Sequence, residues 1–239
     1  MFMELPDTII LAGGLGTRLR DAVRDIPKAM APINGKPFLE HQLQFIKAAG
    51  FKRVIISTGY LGEQIKQFFG NSYQELEIHY SHENEPLGTG GAIKKAFSLV
   101  QTPHALVLNG DTMFRIDPDL FFQRHIEKLA DVSIALRMVD DASRYGQVKC
   151  NADGRLFAFS EKSAKADPGI INGGIYLISS RYFRACSLPD KFSFEKDFLE
   201  KQITTSAIYG QVFNDYFLDI GIPEDYQRAQ NEIGTTENG

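Results

Sequence analysis

Short apolar runs alternate with amphipathic segments through the first half of the chain. The apolar runs are bounded by turn residues, which predicts buried strands at residues 8–11, 53–57, 77–80 and 105–108. Apolar residues at helical spacing predict helices at residues 37–46, at 62–69 and from Ala92 towards Val100. This alternation is typical of an α/β fold in which helices cover both faces of a parallel sheet.

The pattern changes in the second half of the chain, where shorter segments predict strands at residues 132–136, 144–148, 156–159 and 170–176. A hairpin signal, Asn151-Ala152-Asp153-Gly154, lies between two of them. We therefore expect an antiparallel extension of the sheet that builds the pocket for a second substrate. After it, Ser193 is expected to cap a helix that serves packing. Residues 216–219 are expected to form a strand that ends at Asp219, before a helix begun by Pro223.

Three glycines, Gly13, Gly14 and Gly16, follow the first predicted strand. Glycine tolerates positive φ and carries no Cβ, so backbone N–H groups can close around an anion. Arg18 adds a planar fork of donors that suits phosphate oxygens, and Lys28 supplies a second cation. We interpret residues 11–18 as a phosphate cradle at the carboxyl end of the first strand.

Two familiar phosphate-binding motifs are excluded. A dinucleotide fingerprint requires a third glycine where this chain has Leu19. A P-loop requires Ser or Thr where Pro37 follows Gly35-Lys36. The cradle is therefore of another kind, and a flexible turn is the alternative interpretation.

A second glycine-rich loop covers residues 83–91 and precedes the helix expected from Ala92. Gly88 and the glycines after it permit close backbone approach, and Pro86 stiffens the entry. We interpret this loop, with Gly88 and Thr89, as a base-binding loop, because it lies at the same sheet edge as the cradle. An ordinary strand-to-helix turn capped by Thr89 is the alternative.

The acidic residues of this second loop bear on which base is bound. Guanine offers two adjacent donors, N1–H and the N2 amino group, which suit a carboxylate. Uracil and thymine offer one donor beside carbonyl acceptors. Glu85, or Glu83 beside it, therefore favours GTP.

Asp111 ends the segment Asn109-Gly110-Asp111, directly after the most strongly apolar strand. A carboxylate at the tip of a central strand is costly to desolvate unless it is paired or bound to a metal. Mg²⁺ prefers one or two carboxylates together with substrate phosphates. We interpret Asp111 as a metal ligand rather than a helix cap, because Asp117 is better placed to cap the next helix.

The composition narrows the choice of function class. A chain of 239 residues suits one large α/β domain, which we expect at residues 1–233, with a disordered polar tail at 234–239. A net charge of −4 argues against a general nucleic-acid surface. No histidine or cysteine spacing predicts zinc, and no G-x-S-x-G elbow predicts a hydrolase.

The cellular setting follows from the ends of the chain and from its cysteines. We find no signal peptide and no apolar run of membrane-spanning length, so we expect no membrane association and a cytoplasmic protein. Cys150 and Cys186 lack a C-x-x-C spacing and are expected to be buried thiols, with one disulfide as the alternative.

Several motifs in order resemble those of the sugar-1-phosphate nucleotidyltransferases. The chain carries G-G-x-G-T-R-L, Pro-Lys, E-P-L-G-T-G-G, N-G-D, E-K, N-G-G and D-I-G-x-P. It is most similar to the short bacterial D-glycero-α-D-manno-heptose 1-phosphate guanylyltransferases, which share R-Y-G-x-V, F-S-F-E and Y-F-x-D-I-G-x-P-E-D-Y. One departure is Ala29, which stands where Pro often follows the lysine.

The resemblance implies a Rossmann-like, GT-A-like fold and the transfer of a guanylyl group from GTP to a sugar 1-phosphate with Mg²⁺. It implies these nucleotide-binding residues: Leu11, Ala12, Gly13, Gly14, Gly16, Thr17, Arg18, Glu85, Gly88, Thr89, Asn109 and Asp111. The residues implied at the sugar phosphate are Gly146, Glu161, Lys162, Asn172 and Gly173. Arg18, Lys28 and Lys162 are the implied catalytic cations, and Asp111 and Asp219 the implied metal ligands.

Several alternatives stay open at this point. Mannose 1-phosphate is the main rival acceptor, because both sugars share the manno configuration, and UTP, dTTP or CTP could replace GTP. Asp219 could merely order its turn. A nucleotide-sugar sensor without activity would share the fold. A glycosyltransferase is disfavoured because Asp111-Thr112-Met113 lacks the second Asp of an Asp-x-Asp motif. A homo-oligomer is compatible with the sequence.

Overall fold

The structure is a computed structural model that describes residues 4–14, 25–160 and 167–233. The strands in these ranges are β1 (Asp7–Leu11), β2 (Pro32–Ile33), β3 (Lys36–Pro37), β4 (Arg53–Thr58), β5 (Ser72–Tyr73), β6 (Leu76–His82), β7 (His104–Asn109), β8 (Thr112–Phe114), β9 (Val132–Val139), β10 (Gln147–Cys150), β11 (Leu156–Ser160), β12 (Gly169–Ser179), β13 (Ile208–Phe213) and β14 (Phe217–Asp219). The α-helices are α1 (Phe38–Ala48), α2 (Gly62–Phe69), α3 (Gly88–Ala96), α4 (Pro118–Glu127), α5 (Ser180–Ala185), α6 (Glu200–Gln202) and α7 (Pro223–Glu232). Short 3₁₀ turns lie at Lys28–Met30 and Phe97–Leu99, and a π-helical turn, Phe194–Leu199, leads into α6.

A mixed sheet organises the described chain. The parallel strands β6, β4, β1 and β7 lie side by side in that order, and β12 joins β7 antiparallel. β12 also pairs with β10 and β9, both antiparallel, and the hairpin β10–β11 forms one edge of the sheet. The expected α/β fold, with a parallel centre and an antiparallel extension, is confirmed.

The continuous apolar runs arise because both faces of the central strands are covered. Ile9 and Ile10 are fully buried, yet Ile9 belongs to one hydrophobic core and Ile10 to the other. Successive side chains of a strand point to opposite faces, so a strand buried on both sides needs apolar residues at every position. This is why the sequence pattern identified these strands without alternation.

The strand order reverses at β1: β4, which comes next in the parallel part of the sheet, pairs with one side of β1, and β7 pairs with the other side. The carboxyl ends of β1 and β7 therefore lie together at a topological switch point, where open α/β sheets bind ligands. The contact is close: the N–H of Gly110 donates to Leu11 O (3.1 Å), and a Cβ at Gly110 would collide with the same carbonyl.

A small antiparallel ribbon of β8 and β14 lies beside this switch point. Its register places Asp219 opposite Thr112, and the N–H of Ile220 donates to Asp111 O (2.9 Å). Gln42 of α1 braces the same turn, because its Nε2 donates to the carbonyls of Asn109 (2.8 Å) and Thr112 (2.9 Å). The ribbon therefore brings the two predicted metal ligands together.

Two predicted caps are confirmed and one helix start is wrong. Asp117 accepts from the N–H of Leu120 at the start of α4, and Ser193 accepts from the N–H of Lys196. The third helix begins at Gly88 rather than at Ala92, so the glycines of the second loop lie in its first turn. Phe192 packs against Gly88 and Gly90, and its carbonyl accepts from the first N–H groups of the helix, which explains this start.

Other expectations concern cysteines and membranes. Cys150 and Cys186 are free and half-buried, and burial raises the pKa of both thiols. In the part of the chain that the structure describes, no helix combines the length and the hydropathy that a bilayer crossing requires.

A buried histidine pair makes stability dependent on pH. His125 is buried between Ser133 Oγ (2.8 Å from Nδ1) and His104 Nδ1 (3.0 Å from Nε2), and desolvation, aided by His104, lowers its pKa to about 3. In the unfolded chain, His125 takes up a proton as the pH falls below about 6.5, whereas in the folded chain it stays neutral until about pH 3. The folded protein therefore keeps its full stability above about pH 6.5 and loses stability as the pH falls from there towards 3.

We expect the stability advantage of the wild type over His125→Gln to shrink by about 2 kcal/mol between pH 7 and pH 5, as one proton of linkage requires. Urea unfolding of both proteins at the two pH values measures this change. His79→Gln, which alters a more exposed histidine, is the matched control. An advantage that stays constant with pH would contradict a neutral, buried His125.

Candidate active site

A cavity of about 310 Å³ opens at the carboxyl ends of β1 and β7. Its walls come from the first glycine loop, the second glycine loop and the turn after β7. The lining residues that bear on its chemistry are Leu11, Ala12, Gly13, Gly14, Lys28, Ser57, Glu83, Pro86, Gly88, Thr89, Asn109 and Asp111. The cavity thus collects all but one of the predicted nucleotide-binding residues that the structure describes, and the exception is Glu85.

The described part of the first loop is held against β4. The N–H of Ala12 donates to Ser57 O (2.8 Å), and a Cβ at Gly13 would lie 2.8 Å from Glu83 Oε1. Gly13 is therefore needed because a carboxylate of the second loop lies against it. Gly14 has open space around it. The predicted Gly16, Thr17 and Arg18 lie outside the described residues.

Lys28 and Asp111 form an ion pair at the wall of the cavity. Lys28 Nζ donates to Asp111 Oδ2 at 2.6 Å, and the side chains are 12% and 37% exposed. Pro27, in an extended conformation, ends the preceding segment and begins the 3₁₀ turn that directs Lys28 inward. A partly desolvated ammonium at this point strengthens the attraction for any anion bound in the cavity.

Asp219 completes a pair of carboxylates. Burial and the nearby charge of Asp111 together raise the pKa of Asp219 to about 6, whereas Lys28 and the N–H of Gly221 (2.7 Å from Oδ1) act in the opposite direction. Two like charges in a partly dry site repel each other, and a divalent cation between them would remove that repulsion.

The donor set fits Mg²⁺ better than a structural metal. Within residues 4–14, 25–160 and 167–233, no group of three or more His, Cys, Asp or Glu side chains could hold a metal ion. Mg²⁺ takes one or two carboxylates and completes its shell with water and substrate phosphates. Asp111 and Asp219 supply this number of carboxylates.

The second loop places one of its two glutamates on the cavity wall. Glu83 accepts from Ser57 Oγ (3.2 Å) through Oε1 and from the N–H of Leu87 (3.0 Å) through Oε2. Glu85 is exposed and lines only a neighbouring pocket of about 320 Å³, to which Glu83 also contributes. Of the two candidates for base recognition, the structure thus brings Glu83 to the nucleotide cavity.

The glycines of the second loop accommodate the chain itself, which the sequence did not predict, while Gly88 also lines the cavity. A Cβ at Gly88 would lie 2.6 Å from Phe192 O, and one at Gly90 would collide with the Phe192 ring. Phe192 O accepts from the N–H groups of Gly90 (3.0 Å) and Gly91 (3.3 Å). The first N–H groups of α3 are therefore satisfied by the segment before the π-helical turn.

Glu195 and Tyr176 are polar residues of this region whose roles the sequence did not predict. Thr89 Oγ1 donates to Glu195 Oε2 (2.7 Å), and the Tyr176 hydroxyl donates to Glu195 Oε1 (3.2 Å). The F-S-F-E motif contains Glu195, but the surrounding phenylalanines favoured a packing helix. The sequence does not show that Glu195 lies next to Thr89, and its role could not be predicted without that contact.

The predicted sugar-side residues also lie together where they are described. The N–H of Asn172 donates to Gly146 O (3.0 Å), and Asn172 begins an irregularity in the pairing of β12 with β9. A Cβ at Gly173 would press into the Phe114 ring, and one at Gly174 would lie 2.7 Å from Asn109 Nδ2. Glu161 and Lys162 lie outside the described residues.

A second, more polar cavity of about 420 Å³ opens beside Asp219. Arg144 lines it, donates to Asp225 Oδ2 (2.6 Å) and lies over the ring of Tyr145, 5.6 Å from the ring centroid. Asp225 is buried at the start of α7 and also pairs with Arg228 (3.3 Å). Arg144 begins the R-Y-G-x-V motif, which by itself indicates no role for this residue.

The nucleotidyl transferase family model matches residues 7–236, which span every element of the described fold. The chain belongs to this family. The predicted family is thus confirmed.

Two curated nucleotidyl transferases are similar along nearly their whole length. D-glycero-α-D-manno-heptose 1-phosphate guanylyltransferase of Aneurinibacillus thermoaerophilus is 48% identical over 227 residues, which cover 95% of this chain and 98% of that protein. The enzyme of the same name from Campylobacter jejuni is 45% identical over 222 residues, or 91% of this chain and 96% of that protein.

A solved nucleotidyl transferase has the same fold. The crystal structure of HddC from Yersinia pseudotuberculosis complexed with GMP-PN superimposes with a TM-score of 0.84 at 39% identity, covering 95% of this chain and 99% of that chain. The chain is therefore an enzyme of the nucleotidyl transferase class.

Proposed function

We propose that this nucleotidyl transferase transfers a guanylyl group from GTP to D-glycero-α-D-manno-heptose 1-phosphate and releases pyrophosphate. The observation that carries the proposal is the cluster of Lys28, Asp111 and Asp219: the first two line the switch-point cavity, and Asp219, whose pKa responds to the charge of Asp111, lines the second cavity beside it. The two guanylyltransferases at 48% and 45% identity support the choice of acceptor, and the neighbour complexed with GMP-PN supports the choice of nucleotide.

The chemistry is one in-line displacement at the α-phosphorus. An oxygen of the sugar phosphate attacks, the P–O bond to the β-phosphate breaks, and pyrophosphate leaves with the electron pair. The attacking phosphate is already ionised near neutral pH, so no side chain has to remove a proton. Catalysis then depends on positioning and on the neutralisation of two anions that approach each other.

Each basic residue has a separate part in this scheme. Lys28, 2.6 Å from Asp111, offsets the charge that develops on the α-phosphate. Arg18 and the amides of Gly13, Gly14 and Gly16 hold the leaving diphosphate, and Lys162 holds the sugar phosphate. These last roles rest on the family resemblance alone.

Asp111 and Asp219 would hold Mg²⁺. When bound, the ion neutralises phosphate charge and aligns the attacking and leaving oxygens. Two observations support this assignment: β8 and β14 set Asp219 opposite Thr112, the neighbour of Asp111, and burial together with the charge of Asp111 raises the pKa of Asp219.

The base is recognised by Glu83 in this proposal. The carboxylate lies on the cavity wall next to Gly13 and is held there by Ser57 and Leu87, so its orientation is fixed before the base arrives. A charged acceptor facing N1–H and the N2 amino group selects guanine. Adenine presents an acceptor at N1 and would leave the carboxylate unsatisfied.

Glu83→Gln is expected to raise the KM for GTP by about 10-fold or more, because a charge-assisted hydrogen bond is worth roughly 1.5–3 kcal/mol. Steady-state kinetics with GTP and ATP measure this change and the loss of preference for guanine. Glu85→Gln is the matched control, with the same change of charge two residues away on an exposed side chain. A larger effect at Glu85 than at Glu83 would reverse the assignment.

A pyrophosphate-release assay tests the proposed function directly. GTP, UTP, dTTP and CTP are each combined with heptose, mannose and glucose 1-phosphates in the presence of Mg²⁺. We expect the highest kcat/KM for GTP with D-glycero-α-D-manno-heptose 1-phosphate. A preference for mannose 1-phosphate would contradict the proposed acceptor. A preference for another nucleotide would contradict the proposed base, and no pyrophosphate release from any pair would contradict the proposed catalytic activity.

The wider role follows from the substrates. A GDP-heptose is an activated sugar donor, so the enzyme would supply the assembly of a heptose-containing surface polysaccharide such as lipopolysaccharide or capsule. GTP and sugar phosphates are supplied in the cytoplasm, where we place the reaction.

A further inference from the structure

A line of hydrogen-bonded side chains connects the nucleotide side of the site with the acceptor side. Thr89, on the cavity wall, donates to Glu195 Oε2 (2.7 Å). Tyr176 donates to Glu195 Oε1 (3.2 Å) and accepts from Asn172 Nδ2 (2.7 Å). The four residues belong to three segments that are separate in sequence: Thr89 lies in α3, Glu195 in the π-helical turn, and Asn172 and Tyr176 in β12.

The direction of every hydrogen bond in this line is fixed by chemistry. An ionised carboxylate only accepts, so both Thr89 and Tyr176 must donate to Glu195. The hydroxyl of Tyr176 then has only its lone pairs for Asn172, which must present its amide nitrogen. Asn172 Oδ1 is used as well, because it accepts from the N–H of Gly174 (3.0 Å). The amide of Asn172 is therefore held in one orientation.

The middle of the line is rigid. Tyr176 is fully buried, and its ring packs edge-on against Phe194 with the centroids 5.1 Å apart. Glu195 accepts in addition from Ser193 Oγ (3.0 Å), and Thr89 Oγ1 accepts from the N–H of Phe194 (2.9 Å). These contacts hold the Tyr176 hydroxyl and the Glu195 carboxylate in place.

We infer that Tyr176 and Glu195 are positioning residues for the acceptor sugar phosphate. In this inference they contact neither substrate. Instead they fix the position of Asn172 on the acceptor side relative to Thr89 on the nucleotide side. This inference rests on the proposed function, which places a nucleotide against Thr89 and a sugar phosphate against Asn172. In-line displacement depends on the alignment of the two, and a small misplacement of either reactant costs rate.

Tyr176→Phe interrupts the line at its centre and keeps the buried ring. We expect the KM for D-glycero-α-D-manno-heptose 1-phosphate to rise about tenfold and kcat to fall several-fold, since the net worth of one such hydrogen bond corresponds to roughly a factor of ten. The KM for GTP should stay within about twofold, because Thr89 keeps its bond to Glu195. Steady-state kinetics with each substrate varied in turn measure all three values.

Tyr182→Phe is the matched control. It removes a tyrosine hydroxyl of the same neighbourhood that is hydrogen-bonded to Ser206 and takes no part in the line. A double variant separates positioning from general destabilisation: Tyr176→Phe should add nothing to the acceptor KM once Asn172→Ala is present, whereas independent effects would multiply. Thermal unfolding of each variant shows whether any is unstable.

The outcomes separate the inference from the proposed function. A wild-type protein that releases no pyrophosphate from GTP with heptose or mannose 1-phosphate overturns the proposed function and this inference with it. An active wild type overturns the inference alone if Tyr176→Phe behaves like Tyr182→Phe, or if it raises the KM of GTP as much as that of the acceptor. Multiplied effects of Tyr176→Phe and Asn172→Ala also overturn it.

Discussion

Asp111→Asn is expected to lower kcat by about 10³-fold or more while the protein stays folded. A bound divalent ion contributes several kcal/mol of charge stabilisation, and the amide oxygen of Asn is a poor replacement for a carboxylate ligand. The change also removes the partner of Lys28, so that the cavity loses its ion pair together with its metal ligand. Pyrophosphate release at increasing Mg²⁺ concentration measures both the residual rate and the metal requirement.

Asp219→Asn should lower kcat about as much as Asp111→Asn does. The variant that carries both substitutions should be no slower than either single variant, because the two carboxylates act as one unit. Asp219→Asn should also be at least as stable as the wild type, since it relieves a buried repulsion. Asp119→Asn, an exposed residue of α4, is the matched control. Full activity of Asp111→Asn would exclude the carboxylate pair as a metal site.

Lys28→Ala is expected to lower kcat by about 10²-fold, the scale observed when one preorganised electrostatic donor is removed. The ammonium is 12% exposed and lies 2.6 Å from Asp111, so it is already aligned and largely dehydrated before substrate binds. Because its stabilisation grows as charge develops at the α-phosphate, the KM for GTP should change less than kcat. Initial rates at saturating heptose 1-phosphate separate the two parameters.

Lys36→Ala removes another cation of the same region, on β3, and serves as the control. Lys28→Arg keeps the charge and should recover part of the lost rate, although a guanidinium does not fit the same contact to Asp111. Equal turnover of Lys28→Ala and the wild type would make Lys28 peripheral to the chemistry.

The sequence predicted the parts of this site that depend on local pattern. Apolar runs identified the central strands because both faces of the sheet are covered, and Asp117 was identifiable as a cap from its neighbours Pro118 and Leu120. Asp111 was recognisable because it follows an apolar strand at the sheet edge where ligands bind, whereas the metal role of Asp219 was implied by the family resemblance.

The parts that were wrong or missed depend on contacts between distant segments. Gly88, Gly90 and Gly91 suggest space for a ligand, but Phe192 occupies the space beside the first two and the carbonyl of Asp190 the space beside the third. Nothing in the local sequence indicates these contacts. The choice between Glu83 and Glu85 likewise required the position of Ser57. Gln42 gave a weak signal as a polar residue on the apolar face of a predicted helix, yet its partners at Asn109 and Thr112 lie on another element.

The ribbon of β8 and β14 has a consequence for synthesis of the protein. Asp111 and everything that lines the nucleotide cavity leave the ribosome well before Asp219, which is carried by the last strand of the described chain. In the proposed mechanism the second carboxylate is therefore the last of the named site residues to be synthesised. The site is complete only once β14 has been made and has docked against β8.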